Sequence, residues 1–183
     1  TTFISLKKRL SHHHNPRRAI PIYCYRNIRY CLMSEQQPDI LALDFDGVIC
    51  DGLIEYFQTA WKAYCRIWHP NVSDPPDGLA DRFYPLRPVV ETGWEMPVLL
   101  RSLLLGATEN EILSDWQAIA HQRIAVEGLN PADLAMAVDG VRDEWILEDV
   151  DHWLSQHRFY PGVLAGVKQA IASATETVII STK

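Results

Sequence analysis

Two short apolar runs near the two ends of the chain constrain its fold most. Ile40–Leu43 (ILAL) stands between Pro-Asp and Asp-Phe-Asp-Gly, and residues 177–180 (TVII) precede Ser181. Continuous apolar runs of this length, bounded by turn residues, are typical of strands buried on both faces of a parallel sheet. The roughly 130 residues between them have mostly helical spacing. The sequence therefore predicts an α/β core interrupted, after its first strand, by a mainly helical insertion.

The insertion is predicted to hold several helices. The first carries an apolar stripe at helical spacing, formed by Ile54, Phe57, Trp61, Tyr64, Cys65 and Trp68. HPNVSDPPDG (69–78) ends it, and the prolines of RFYPLRPVVETGWEMP exclude a continuous helix there. Further helices are expected at 97–105, at 109–127 after a Thr108 cap, and at 131–157 after an Asn130 cap with Pro131 in the first position.

Two smaller features complete this reading. RFYPGV predicts a turn into a helix that carries Val163, Leu164, Val167, Ala170 and Ile171 before the last apolar run. The tryptophans at helical spacing are expected to pack in the core rather than stack on a ligand. They are Trp61, Trp68, Trp116, Trp145 and Trp153.

Charge divides the chain unevenly. Residues 1–34 contain seven Lys or Arg and no acid, whereas the other 149 residues contain 10 bases and 23 acids. We expect no regular structure in residues 1–37. Three origins stay open for this segment: an organelle transit peptide, an arm that binds nucleic acid, or upstream sequence outside the natural domain. The acidic remainder would repel phosphate backbones, so nucleic acid is not an expected partner.

Composition also indicates in which cellular compartment we expect the protein. No apolar run approaches the roughly 18 to 20 residues of a membrane helix, so no membrane partner is expected. Four cysteines occur without CxxC or zinc spacing and are read as reduced thiols. We therefore expect a soluble cytoplasmic protein, with organelle targeting by residues 1–34 as the alternative; the sequence predicts no oligomeric state.

Asp44 and Asp46 are the candidate catalytic residues. Ligands of open α/β sheets bind outside the carboxyl ends of the strands, and Asp44 ends the first predicted strand. In extended backbone, the Asp46 carboxylate would project to the same side as that of Asp44. One carboxylate can then act as nucleophile or metal ligand while the other transfers a proton. Mg²⁺ suits such hard oxygen ligands and a phosphate substrate. Gly47 would let the backbone turn sharply or approach the ligand.

Both ends of this stretch resemble the haloacid dehalogenase-like (HAD) hydrolase superfamily. LDFDGVICDG is similar to the first motif of that family, hhhhDxDGxhxD. RFYPGVLAGVKQAIASATETVIISTK resembles its second block, a Tyr-Pro-Gly turn followed by a helix and a strand ending in Thr or Ser. The resemblance implies an incomplete Rossmannoid parallel-sheet core at 38–52 and 159–183, with a helical C1-type cap at 53–158.

The resemblance also implies roles for single residues. Asp44 would be the nucleophile that forms an aspartyl-phosphate, and Asp46 the acid that protonates the leaving group and later activates water. The Asp44 carboxylate and the Asp46 carbonyl would hold Mg²⁺. Ser181 would bind the transferred phosphoryl group, with Thr182 as a weaker claimant, and Gly47 is counted with Ser181 as phosphate-binding. The presence of Asp46 favours phosphate chemistry over dehalogenation.

The loop RPVVETGWE supplies the candidate cap contacts to substrate. It places Arg87, Glu91, Thr92, Trp94 and Glu95 where helix packing does not explain them, and loops often carry recognition. The competing interpretation is a surface loop between cap helices.

Family members also use a later lysine and a pair of acids, often in GDxxxD, and Lys183 is not expected to be that lysine. We therefore expect an N-terminal fragment that binds Mg²⁺ weakly and turns over little alone. The predicted function is removal of phosphate from a small phosphorylated metabolite. The alternatives are a phosphomutase of the β-phosphoglucomutase type and a non-catalytic HAD-like interaction module.

Overall fold

A computed structural model describes residues 3–5 and 39–180. The chain divides into two compact units, treated separately below. The first, called the sheet unit, comprises Thr1–Gly52 and Arg158–Lys183, and the second, called the helical unit, comprises Leu53–His157. The sequence-based bounds of the insertion are 53–158. In the described residues the protein is mixed α/β and mostly helical, and none of its helices is long and apolar enough to cross a membrane.

The sheet unit is built on three parallel strands. They are β1 (Phe3–Ser5), β2 (Ile40–Asp44) and β5 (Glu176–Ile180), in the order β1-β2-β5. In register, Ile40 faces Glu176 and Asp44 faces Ile180. Both predicted strands are therefore present and parallel. Residues 3–5 correct the expectation that residues 1–37 lack regular structure; the rest of that segment lies outside the described residues.

The burial of the two predicted strands differs from the expectation. Leu43 is fully buried and Leu41 is half-buried, whereas Val178, Ile179 and Ile180 are exposed. The prediction of a second strand buried on both faces is thus wrong for β5. Successive side chains of a strand point to opposite faces of the sheet, so the exposure of Val178, Ile179 and Ile180 shows that no described residue covers either face of β5 at these positions.

The described part of the sheet unit also contains a short antiparallel strand pair and one helix. The strand β3 (Cys50–Asp51) pairs antiparallel with β4 (Arg158–Phe159), and the helix Val163–Ala172 follows a left-handed Gly162. The predicted turn into this helix is confirmed. Val163 and Ala170 are buried while Leu164 and Ile171 are exposed, so only part of the predicted apolar set reaches the core. Leu43, Ile49 and Val163 form that core.

The helical unit contains six α-helices among its residues, all of which are described. They are α1 (Leu53–Trp68), α2 (Leu79–Leu86), α3 (Glu95–Leu104), α4 (Glu109–Glu127), α5 (Pro131–Glu148) and α6 (Val150–Ser155), so the sheet-unit helix is α7. A 3₁₀ turn at Arg87–Val89 follows α2. The helix α2 was not expected from the sequence, because Pro85 lies inside it. Proline has no N–H, so the last turn of α2 lacks one intrahelical hydrogen bond at Pro85.

The predicted caps are confirmed, and two predicted helices are interrupted. The helix α4 is kinked at Asp115, whose φ of −155° and ψ of 63° are not helical. The Thr108 side chain accepts from the Glu111 N–H in a capping box, and Asn130 caps α5 with Pro131 at its first position. The single helix expected at 131–157 breaks at Asp149, whose φ of −156° and ψ of 84° are not helical. Its carboxylate accepts the His152 N–H at 2.8 Å and so starts a new helix.

The core of the helical unit is aromatic and aliphatic, with α1 at its centre. Three residues of the predicted stripe are buried, namely Phe57, Trp61 and Tyr64, while Ile54, Cys65 and Trp68 are half-buried. Trp116 and Trp145 are also buried, and Trp153 is half-buried, which confirms the expected packing role of the tryptophans. The helix α1 buries Glu55, Tyr56 and Thr59 as well, so its buried surface is wider than one stripe.

Candidate active site at the end of strand β2

Asp44 lies at the carboxyl end of β2 with an exposed side chain. Its partner in register on β5 is Ile180, the last residue of that strand. Ser181 follows Ile180 directly in sequence, but Ser181, Thr182 and Lys183 lie outside the described residues. Parallel strands end at the same edge of a sheet, and this is the edge at which open α/β folds bind ligands.

The chain turns tightly after Asp44. The Ile49 and Cys50 N–H groups both donate to the Phe45 carbonyl, at 3.0 and 2.9 Å, and the Gly47 N–H donates to the Cys50 carbonyl at 2.8 Å. Asp46 forms a single β-bridge with Cys50. We expected extended backbone through Asp46, but the strand ends at Asp44 and Phe45 already belongs to the turn. The half-buried Asp46 is therefore held by the turn and not by the strand.

Gly47 is needed for its backbone conformation. Its φ is +74°, in the left-handed region that costs an L-residue about 1 to 2 kcal/mol. A Cβ at this position would meet nothing within 4 Å, so space is not the reason for glycine. In this conformation the Gly47 N–H bonds inside the turn. The structure gives Gly47 a turn-forming role, and its predicted contact with phosphate stays a prediction.

The donor chemistry of this edge fits Mg²⁺. Two carboxylates separated by one residue supply hard oxygen ligands, and Mg²⁺ usually takes one or two carboxylates together with waters and substrate phosphate. Within residues 3–5 and 39–180 no group of three His, Cys, Asp or Glu side chains is placed to hold a metal ion.

In the helical unit, the loop predicted to touch substrate is tied to its own core. Arg87 donates to the Val90 carbonyl at 3.0 Å, and its guanidinium lies 4.6 Å from the centre of the Tyr56 ring. Trp94 is half-buried, with its ring edge-on to His121. Glu91 is exposed, so among these residues its side chain is the most accessible to a ligand.

Glu95 explains why this loop has its shape. Its carboxylate is buried and accepts from the Thr92 hydroxyl at 2.8 Å, from the Glu91 N–H at 3.1 Å and from the Trp116 indole at 2.7 Å. These bonds give Thr92 and Glu95 a structural role, and their predicted contacts with substrate stay predictions. A carboxylate in the first turn of α3 fixes the loop before the helix and satisfies buried donors.

The most buried ionic group of the described residues was missed by the sequence reasoning. The Glu55 side chain is 0% exposed, and it accepts from Arg142 Nε at 2.8 Å and from Arg142 Nη2 at 3.3 Å. Thr59 and Trp153 donate to the same carboxylate at 2.8 and 3.4 Å. These bonds join α1, α5 and α6. The sequence signal that could have identified Glu55 is its place next to Tyr56 and Phe57, on a helix that buries most of its surface.

Burial and the contact between Glu55 and Arg142 shift the pKa of each group in opposite directions. Burial alone would raise the pKa of Glu55, but the hydrogen bonds and positive charge of Arg142 outweigh it, so the pKa lies below its usual 4.5. Burial would likewise lower the pKa of Arg142, and Glu55 reverses this and raises it. Both groups are therefore charged at neutral pH, which makes the contact an ion pair.

We compared the chain with family models, with curated proteins and with solved structures, and none of them matches it. The resemblance to the HAD superfamily thus rests on the two motifs quoted above.

Proposed function

We propose that this chain carries the nucleophile of a Mg²⁺-dependent phosphohydrolase of the HAD type, which acts on a small phosphorylated metabolite. One observation carries the proposal. The exposed Asp44 ends a strand that pairs in parallel with β5, at a register that sets Asp44 opposite Ile180. A nucleophilic carboxylate needs this kind of position, accessible to substrate yet fixed by the sheet behind it.

The chemistry requires two carboxylates with different tasks. A carboxylate oxygen of Asp44 attacks phosphorus, and the bond from phosphorus to the leaving oxygen breaks. Asp46 gives its proton to that oxygen, so the product leaves as an alcohol. Water then attacks phosphorus, Asp46 takes back a proton, and cleavage of the aspartyl-phosphate releases inorganic phosphate and restores both side chains. The turn held by Gly47 supports this division, because it fixes Asp46 two residues beyond the end of β2.

Asp44 and the Asp46 carbonyl would hold the magnesium ion. When bound, the ion supplies positive charge that offsets the negative charge of the phosphoryl group and of the attacking carboxylate.

The experiment uses beryllofluoride, which mimics a phosphoryl group on an aspartate and requires no turnover. We expect ¹⁹F NMR to show a bound resonance for the wild-type chain only when Mg²⁺ is present. Asp44→Asn should abolish that resonance. The matched control is Asp39→Asn, since Asp39 is an exposed aspartate just before the other end of the same strand.

Two results would refute the proposal. One is a folded wild-type chain with no bound resonance, and the other is a resonance that survives Asp44→Asn but disappears in Asp39→Asn.

A further inference from the structure

The helical unit has an open groove on its surface, formed by the end of α1 and the loop after it. The groove has a volume of about 600 Å³. This is within the range of about 300 to 1,000 Å³ found for small-molecule sites. Its walls are Trp61, Lys62, Cys65, Arg66, Pro70, Asn71, Val72 and Ser73. The set combines apolar surface with two cations and no acid, in what we call the α1 groove.

The charge of the groove contrasts with the unit around it. Residues 53–157 contain seven Lys or Arg and seventeen Asp or Glu, so this unit is strongly acidic. Lys62 and Arg66 are the two basic residues of α1, and both line the groove. They are four positions apart, which sets them on one face of the helix. A small anion repelled elsewhere on this unit would meet positive charge here.

Lys62 is held in place without an acidic partner. Its Nζ lies 3.8 Å from the centre of the Trp145 ring, a cation–π contact. Throughout the described part of the chain, no hydrogen bond or ion pair involves this ammonium. A lysine ammonium has three N–H donors. The indole thus positions a cation while leaving its donors available to a ligand.

Two acids lie near the groove, namely Glu144 and Asp74, and the Asp74 carboxylate accepts from the hydroxyl of the groove residue Ser73 at 3.2 Å. Arg66 pairs with Glu144, an exposed contact that uses part of the guanidinium. Glu144 would repel an anion, but its charge is offset by Arg66. Burial raises the pKa of the Cys65 thiol, so this wall of the groove is neutral at physiological pH.

The apolar side of the groove is shaped by one hydrogen bond. The indole N–H of Trp61 donates to the Ser73 carbonyl at 2.8 Å. This bond ties the loop back to the helix, and Trp61 itself is 6% exposed. Pro70 and Val72 lie on the tied loop, and Val72 is 55% exposed. The loop therefore offers apolar contact area beside the two cations.

We propose that the α1 groove binds a small organic anion, with Lys62 contacting the anionic group and the Pro70–Val72 loop contacting an apolar body. This inference is independent of the proposed function, because it uses none of the residues around Asp44. The anionic group is a carboxylate or a phosphate, both of which accept hydrogen bonds from an ammonium.

The test measures binding of two probes and one neutral analogue by titration calorimetry, with EDTA present to keep Mg²⁺ out of the Asp44 site. Phenylacetate and phenyl phosphate should bind, and 2-phenylethanol should bind at least about tenfold more weakly, because it lacks the charge-assisted bond. The ratio of the two anion affinities identifies the preferred group.

Variants connect the binding to the groove. Lys62→Met should weaken both anions about tenfold or more, and Lys62→Arg should retain most of the affinity. Lys168→Met is the matched control, because Lys168 is an exposed lysine on α7, outside the groove, and should leave affinity unchanged. Failure of both anions to bind, equal binding of the alcohol, or unchanged affinity in Lys62→Met would each overturn the inference. Lys62→Met should keep the beryllofluoride signal, so the two proposals fail separately.

Discussion

Replacing Arg142 by methionine should destabilise the helical unit more than any surface change. The variant keeps most of the aliphatic volume but removes both bonds from Arg142 to Glu55, leaving Thr59 and Trp153 as donors to a fully buried carboxylate. The two side chains are 16% and 0% exposed. Removing one partner of such a buried pair costs about 3 to 5 kcal/mol, mostly because a charge stays behind without its counterion.

The assay is urea unfolding followed by tryptophan fluorescence. All six tryptophans of the chain lie between residues 53 and 157, so this signal reports the helical unit alone. Arg66→Met is the matched control. It makes the same substitution in an Arg–Glu pair whose side chains are 43% and 57% exposed. An exposed pair of this kind contributes about 0 to 1 kcal/mol.

A double variant separates the ion pair from simple loss of packing. Glu55→Met combined with Arg142→Met removes both charges, and apolar replacement of both partners of a buried pair is often neutral or stabilising. The double variant should therefore be more stable than Arg142→Met alone. The reasoning is refuted if Arg142→Met costs no more than Arg66→Met, or if the double variant is the least stable of the three.

Four further outcomes follow from the structure. The pKa of Glu55 lies below 4.5, so its pairing with Arg142 stabilises the fold at neutral pH. This stabilisation is lost as the pH falls through the folded-state pKa of Glu55. The free energies of unfolding of wild type and Arg142→Met should therefore converge in acid. Thr108→Ala should cost about 0.5 to 2 kcal/mol in the same urea assay, since α4 loses its N-cap. Gly47→Ala should speed amide hydrogen exchange in the turn after β2 by destabilising it roughly 1 kcal/mol. Gly140→Ala, in the middle of α5 with ordinary contacts for a new Cβ, should instead stabilise its helix by about 0.5 to 1 kcal/mol.

Features that depend on a few adjacent residues could be predicted from the sequence. The caps at Thr108 and Asn130 depend on side chains two or three residues from the backbone groups that they bond, and both are present. The ends of β2 and the turn at Gly47 are likewise local. An apolar run and a glycine can be recognised in the sequence without knowledge of tertiary contacts.

Features that depend on distant residues could not be predicted in this way. Glu55 and Arg142 are 87 positions apart, and only packing of α1 against α5 shows that they meet. The break at Asp149 replaces a continuous helix because Asp149 caps a new one, and either outcome agrees with the apolar spacing. The exposure of β5 depends on which elements cover its two faces, and the strand's own sequence does not encode that.

The position of β5 also affects how the protein behaves at high concentration. Within the described residues β5 pairs on one side only, with β2, so the N–H and C=O groups along its other side meet no strand. The strand reads ETVII, with high β-propensity, a single charge at its start, and neither lysine nor proline to discourage pairing. Its Ile179 and Ile180 are each 56% exposed. Such an edge can act as a template for a strand from another molecule, so aggregation during expression should begin here, and a lysine in place of Ile179 should reduce it.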